Sequence, residues 1–258
     1  WRFFNGMNTS TEETLTHIDE LGGPKSNNHY NTGWAWAFDT PFPYWKRWAG
    51  YEGGIADMCL VAWPGKVPAS REVRSQYVHA VDIVPTLFEC LGVELPDVVN
   101  GYTQKPLEGV SFRRSLVDPD APPKETQFYS MLGTRAIWHK GWKAATAVPA
   151  APESWGDFHQ QRWELFDTTT DPSECHDLSA EHPEKLQELI ALWWVEAGTY
   201  QALPLESRGA IEILGAERPQ LSSPRTRYTY YPGGAEIPES VAPNIRNRSY
   251  TIAAEMEI

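Results

Sequence analysis

Gln127-Phe-Tyr-Ser-Met-Leu132, Arg135-Ala-Ile-Trp138 and Trp142-Lys-Ala-Ala-Thr146 are three short runs rich in aromatic and apolar residues. Runs of this length and composition read as strands. His139-Lys-Gly141 joins the last two by a turn, and Trp163-Glu-Leu-Phe-Asp167 supplies a fourth strand. A small antiparallel sheet is therefore expected. Downstream, Pro183 stands at the first position of a helix in which Leu186, Leu189, Ile190, Trp193, Trp194 and Ala197 recur at i, i+3, i+4, i+7, i+8 and i+11. That stripe faces a core, and burial against the sheet is a better use for its two tryptophans than a sugar platform.

Upstream of the sheet the pattern changes. Met58-Cys-Leu-Val-Ala-Trp63 is a continuous apolar run closed by Pro64-Gly65, as in a strand buried on both faces of a parallel sheet. Asp82 is placed to cap a helix from Ile83 to Leu91, with Pro85 tolerated in its first turn and Gly92 at its end. Strand followed by helix points to an α/β region. Ser10-Thr-Glu-Glu13 has the spacing of a capping box and predicts a short helix ending at Gly22-Gly23. From Pro24 to Thr40 the chain has no clean period and reads as a long loop carrying His29, Tyr30, Trp34 and Trp36. Loops of this kind line clefts or pack on the surface.

The bulk properties exclude some classes. The chain has 258 residues, 41% hydrophobic and 22% charged, enough apolar material for a large core. A net charge of −12 argues against nucleic acid as a partner, because sequence-independent binding rests on Lys and Arg neutralising phosphates. No apolar run approaches the ~20 residues of a membrane span. Cys59, Cys90 and Cys175 are widely spaced and odd in number, so they form neither a complete disulfide set nor a ligand cluster. Asn8-Thr-Ser10 and Asn247-Arg-Ser249 match the glycosylation pattern, a pattern short enough to arise by chance.

At the C-terminus, apolar Tyr250, Ile252, Ala254, Met256 and Ile258 alternate with more polar neighbours, as in a half-buried strand. That strand would present an unprotected edge. The chain starts at Trp1 without an initiator methionine. Both ends read as cuts in a longer protein.

One segment carries the chemistry. In Thr40-Pro-Phe-Pro-Tyr-Trp-Lys-Arg-Trp-Ala-Gly-Tyr-Glu-Gly-Gly-Ile55, a lysine stands seven residues before a Gly-Gly pair. Lys46 can meet an anion, although on its residues alone a surface lysine at the end of an aromatic loop is the better reading. Arg47 is its nearest rival for that role. Gly53 and Gly54 read as backbone passage points. His29 is a further candidate for a proton or hydrogen bond in a cleft. His79 reads as a capping residue, and Asp171 and Asp177 read as turn residues.

Four stretches in order resemble a bacterial arylsulfatase of the large type, in the sulfatase family of the alkaline phosphatase-like superfamily. They are Leu21-Gly-Gly-Pro-Lys25 through Asn28-His-Tyr30 to Gly33-Trp-Ala35, the segment from Thr40 to Gly54, His79-Ala-Val-Asp-Ile-Val-Pro-Thr86, and Trp163-Glu-Leu-Phe-Asp167 followed by Asp171-Pro-Ser-Glu174 and Asp177-Leu178. The resemblance implies an alkaline phosphatase-like mixed sheet with outer helices, followed by the small antiparallel sheet and helix. It places part of the catalytic α/β domain at residues 1–120, the small subdomain at 121–205, and a linker with the start of a further β element at 206–258.

The resemblance also implies chemistry. Sulfatases hydrolyse sulfate esters to an alcohol or phenol and inorganic sulfate, using a formylglycine made from the Cys or Ser of Cys/Ser-x-Pro-x-Arg and a bound calcium ion. No such motif stands in this sequence: Ser222-Ser-Pro-Arg-Thr226 has threonine where arginine is needed. The resemblance places the nucleophile and the acidic calcium ligands before Trp1, so no metal site is assigned here. Lys46 matches the lysine that contacts the sulfate group of a small-molecule sulfate ester, with His29 as a second substrate contact. The 258 residues alone are expected to be inactive. A phosphonate or phosphodiester hydrolase of the same superfamily, or a non-catalytic carbohydrate-binding module, are the alternatives.

Overall fold

Six strands and five α-helices occur in a computed structural model that describes residues 10–25, 32–70, 72–147, 158, 161–206, 208, 225–237, 242–243, 245 and 249–254. The strands are β1 (Val98–Val99), β2 (Tyr102–Thr103), β3 (Thr126–Met131), β4 (Thr134–His139), β5 (Trp142–Thr146) and β6 (Trp163–Asp167). The helices are α1 (Thr11–Leu15), α2 (Thr32–Asp39), α3 (Glu52–Ile55), α4 (Ile83–Leu91) and α5 (Pro183–Thr199). The chain divides into two compact units, residues 1–207 and 208–258. In the second unit the described residues form no helix or strand.

The expected antiparallel sheet is present, with β3, β4, β5 and β6 side by side in chain order. Two-residue turns join the first three strands. Leu132 and Gly133 close one, and Lys140 and Gly141 close the other, all four with positive φ. Turns of that hand match the twist of an antiparallel pair.

Strand register sorts the side chains onto two faces. Phe128, Ile137, Ala144 and Leu165 lie in one row across the sheet. On that face Ile137, Ala144 and Leu165 form a buried core with Leu189, Trp193 and Ala197 of α5, which recur every four residues along the helix. Burying side chains of this size contributes about 1.5–3 kcal/mol each. The Trp193 indole N–H donates to the Tyr129 carbonyl at 3.0 Å, so the ring is satisfied as well as buried. Trp194, expected in the same stripe, is 43% exposed. It lies one residue round the helix from Trp193, with the Arg135 guanidinium 5.8 Å from its ring.

The opposite face carries two rows. Tyr129, Ala136, Ala145 and Glu164 form one, and Gln127, Trp138, Lys143 and Phe166 form the other. Among the described residues no helix as long as α5 covers this face. Instead Ala49 and Ile55 pack there with Tyr77.

The N-terminal part differs from expectation at several points. The apolar run Met58–Trp63 belongs to no helix or strand, and Met58 and Leu60 are almost fully exposed. A doubly buried strand needs hydrogen-bonded neighbours on both sides, and among the described residues this run has none. The helix expected from Ser10 is capped as anticipated, with the Ser10 hydroxyl accepting from Glu13 N–H. It stops at Leu15 and resumes as a 3-10 turn, Ile18–Glu20.

The long loop contains helix α2, in which Trp34 and Phe38 stack at 5.9 Å one turn apart. Pairs at i, i+4 stabilise a helix locally, a signal hidden by the mixed composition of the run. The C-terminal strand is absent over 249–254, and its remaining residues lie outside the described ones. Helix α4 has the expected bounds and ends at Gly92 in the left-handed conformation.

Candidate active site

The segment from Pro43 to Ile55 folds into a compact knot. Gly53 N–H donates to the Pro43 carbonyl, Trp48 N–H to Trp45 and Tyr51 N–H to Trp48. The Tyr44 ring lies 4.7 Å from the Tyr51 ring and 6.0 Å from that of Trp48. The two glycines make this fold possible. A Cβ on Gly53 would sit 2.3 Å from the Pro43 carbonyl oxygen, and one on Gly54 would sit 2.2 Å from that of Trp48. Both glycines thus serve close backbone passage, within helix α3 rather than on the way into a strand.

The sheet anchors the knot. A Cβ on Gly50 would meet the Thr146 carbonyl oxygen at 3.4 Å and the Ala145 methyl group at 3.5 Å. Buried Tyr51 donates its hydroxyl proton to Glu164 at 2.5 Å and packs against Phe166. Beneath α3, Lys143 is fully buried, with Nζ 2.8 Å from Glu52 Oε1 and 2.7 Å from Glu174 Oε1. The second carboxylate oxygen of Glu174 accepts the Glu52 backbone N–H at 2.7 Å. Burial pushes the Glu174 pKa up, and Lys143 opposes the shift.

Lys46 is exposed on this anchored segment and makes no ion pair among the described residues. Arg47 is half-buried, with its guanidinium 5.3 Å from the Trp48 ring centre, so of the two cations Lys46 is the more open to a solute. His29 lies outside the described residues.

His79 caps, as its position indicated: its Nδ1 accepts Val81 N–H at 3.2 Å. Asp82 does not cap α4 with its side chain. Its carboxylate instead accepts His79 N–H and Val110 N–H, each at 2.8 Å, and pairs with Lys124 at 2.7 Å. It is the preceding 3-10 turn, Ala80–Asp82, that this carboxylate closes. Asp171 accepts His176 N–H, and Asp177 accepts Leu165 and Ser179 N–H, so both are turn and loop-fixing residues. Lys143 and Glu174 were not anticipated. A lysine in an aromatic-rich strand predicted to lie in a sheet, with acids on two distant loops, was the available signal.

No family model matches the chain. It is 28% identical over 193 residues to an uncharacterized sulfatase of Schizosaccharomyces pombe, covering 69% of this chain and 31% of that protein. To the N-acetylgalactosamine-6-O-sulfatase of Bacteroides thetaiotaomicron it is 27% identical over 212 residues, covering 74% and 39%. To arylsulfatase K of Xenopus laevis it is 28% identical over 145 residues, covering 54% and 25%.

All three relatives are sulfatases.

The chain spans 25–39% of the length of these curated relatives. Among solved structures, one from work on glycosaminoglycan metabolism by Bacteroides thetaiotaomicron has a TM-score of 0.44 and 24% identity, covering 57% of this chain and 30% of that one. Ps i-CgsB bound to k-i-k-neocarrahexaose has a TM-score of 0.45 and 22% identity, covering 68% and 36%.

The calcium and formylglycine that the family implies can be tested against these residues. Among the described residues no group of three His, Cys, Asp or Glu side chains is placed to hold a metal ion. Cys59, Cys90 and Cys175 are not followed by the Pro and Arg that formylglycine formation needs. The described residues do not fit the calcium ion, and the three cysteines do not fit formylglycine formation. Among the described residues no helix is long and apolar enough to cross a membrane.

Proposed function

We propose that this chain is part of an arylsulfatase that hydrolyses a small-molecule sulfate ester to an alcohol or phenol and inorganic sulfate, and that it supplies Lys46 as the sulfate-contacting cation. The similarity to sulfatases over 69% of the chain carries the reading, and an exposed lysine on a segment anchored to the sheet supports it. An ammonium suits a tetrahedral oxyanion as a compact point charge. Held in place beforehand, it lowers the barrier where charge moves from the sulfuryl group to the leaving oxygen. His29 is proposed as a second contact to the substrate. The division at about residues 120 and 205 is proposed as the boundary between catalytic part, small subdomain and linker. The 258 residues have no formylglycine motif and supply the lysine without a nucleophile.

Turnover of nitrophenyl sulfate by the complete gene product that contains these residues tests the assignment. Lys46→Ala is expected to lower kcat/KM about 10²–10³-fold, the loss that follows removal of one preorganised charge-stabilising group. Unchanged kcat/KM overturns it. The 258-residue chain assayed alone is expected to release no nitrophenol, and release overturns the division of labour.

A further inference from the structure

We propose that Glu174 is a positioning residue for Lys46, acting through Glu52; the proposal rests on the reading of Lys46 as the sulfate contact. Glu174 is 122 residues from Glu52 in sequence and sits in the turn after β6. It is the only group among the described residues shown joining Lys143 to the backbone at the start of α3: one oxygen lies 2.7 Å from the ammonium and the other accepts Glu52 N–H at 2.7 Å. Glu52 returns to the same ammonium through its own side chain at 2.8 Å. The first residue of α3 is thereby held at its amide and at its carboxylate.

From α3 the constraint reaches Lys46 through backbone. Gly53 and Gly54 lie so close under the carbonyls of Pro43, Tyr44, Trp45 and Trp48 that no side-chain atom fits between. Lys46 stands in the middle of those four. A shift of α3 relative to the sheet therefore moves the backbone on both sides of Lys46. The large buried core under α5 lies on the other face of the sheet, so this anchor is separate from what holds the sheet together. Misplacement of a charge-stabilising group by about 1 Å is enough to cost up to about 10²-fold in rate, and groups that fix a functional side chain through a second contact are how such placement is kept.

Glu174→Gln tests this, because the amide oxygen still accepts Glu52 N–H while the ammonium loses its second negative partner. Trypsin digestion of the 258-residue chain is expected to cut after Lys46 and Arg47 about tenfold faster in the variant, with cutting at Lys185 in α5 unchanged. An unchanged pattern overturns the proposal. In the complete gene product, Glu174→Gln is expected to lower kcat on nitrophenyl sulfate about tenfold with little change in KM, and to have no further effect in a Lys46→Ala background. Equal losses in both backgrounds indicate a merely structural role and overturn it. Turnover unaffected by Lys46→Ala overturns the reading of Lys46 itself, while digestion still reports on Glu174. Where Glu174→Gln fails to fold, Glu174→Asp, one methylene shorter, is read in the same two assays.

Discussion

Lys143 and Glu174, both with fully buried side chains, face each other at 2.7 Å beneath helix α3. The same ammonium also serves Glu52 at 2.8 Å, so one cation answers two carboxylates. Removing the cation leaves both acids without their partner in a site shielded from water. Lys143→Met is expected to cost about 3–5 kcal/mol at pH 7, the range found when one member of a buried ion pair is deleted, as measured by urea denaturation. The Glu174 pKa is already raised by burial, and loss of Lys143 raises it further. The deficit of the variant is therefore expected to shrink as pH falls and Glu174 takes up a proton. Equal deficits at pH 5 and pH 7 count against this account.

Three glycines predict opposite signs. Gly53→Ala and Gly54→Ala each place a methyl group within 2.3 Å of a carbonyl oxygen, a distance that only backbone movement relieves. Each is expected to destabilise by about 1–3 kcal/mol. Gly198, in α5, has open space where its Cβ would stand, and Gly198→Ala is expected to stabilise by about 0.5–1 kcal/mol through helix propensity. Thermal melts of the three variants decide the matter. A stable Gly53→Ala protein contradicts the packing described for the Lys46 segment.

The part of the fold written in local pattern was legible in the sequence, and the part that depends on distant partners was not. Strands β5 and β6 have the bounds read from composition, helix α4 follows from its Pro and Gly punctuation, and α5 follows from Pro183 and its apolar stripe. Met58–Trp63 shows the limit: its apolar run meets the local criterion for a buried strand, but pairing is a property of neighbours, and no described strand lies alongside. The candidate site divides in the same way. Lys46 was singled out by sequence pattern and resemblance, whereas the pairing of Lys143 with Glu52 and Glu174 joins residues 91 and 31 positions apart and follows from the packing of α3 and the loop after β6 on the sheet. The side chain of Asp82 reads as a helix cap in one dimension. In three dimensions it ties the 3-10 turn to Val110 and Lys124.

The hydroxyls of Tyr77 and Tyr129 share a hydrogen bond of 2.6 Å, and Tyr77 stacks on Trp138 with ring centres 4.0 Å apart. Burial drives both phenol pKa values upward, well above the ordinary range for Tyr77. In an alkaline absorbance titration, two of the 11 tyrosines are expected to stay protonated until the protein unfolds. Tyr129→Phe leaves the Tyr77 hydroxyl without this partner and is expected to cost about 1–3 kcal/mol. Ionisation of all tyrosines in the folded state at ordinary phenol pKa contradicts the burial of the pair.

His79 gives the chain a pH dependence of defined sign. Its Nδ1 accepts Val81 N–H at 3.2 Å, a role open only to the neutral tautomer with the proton on Nε2. Its ring meets the edge of Tyr129 at 5.5 Å. Burial lowers its pKa, with the charge of Lys124 acting in the same direction and Asp82 opposing. The folded state thus binds the proton more weakly than the unfolded chain, in which histidine titrates near its ordinary value of about 6.5. This contribution to stability is complete above that value. It is lost as pH falls from about 6.5 toward the lowered pKa of the folded state, because the unfolded chain protonates first. His79→Asn keeps a side-chain oxygen able to accept Val81 N–H and removes the titration. Urea midpoints measured between pH 5 and pH 8 are expected to fall at the acid end in the parent chain, and to fall less in the variant. Identical slopes in the two proteins assign the acid sensitivity to other groups.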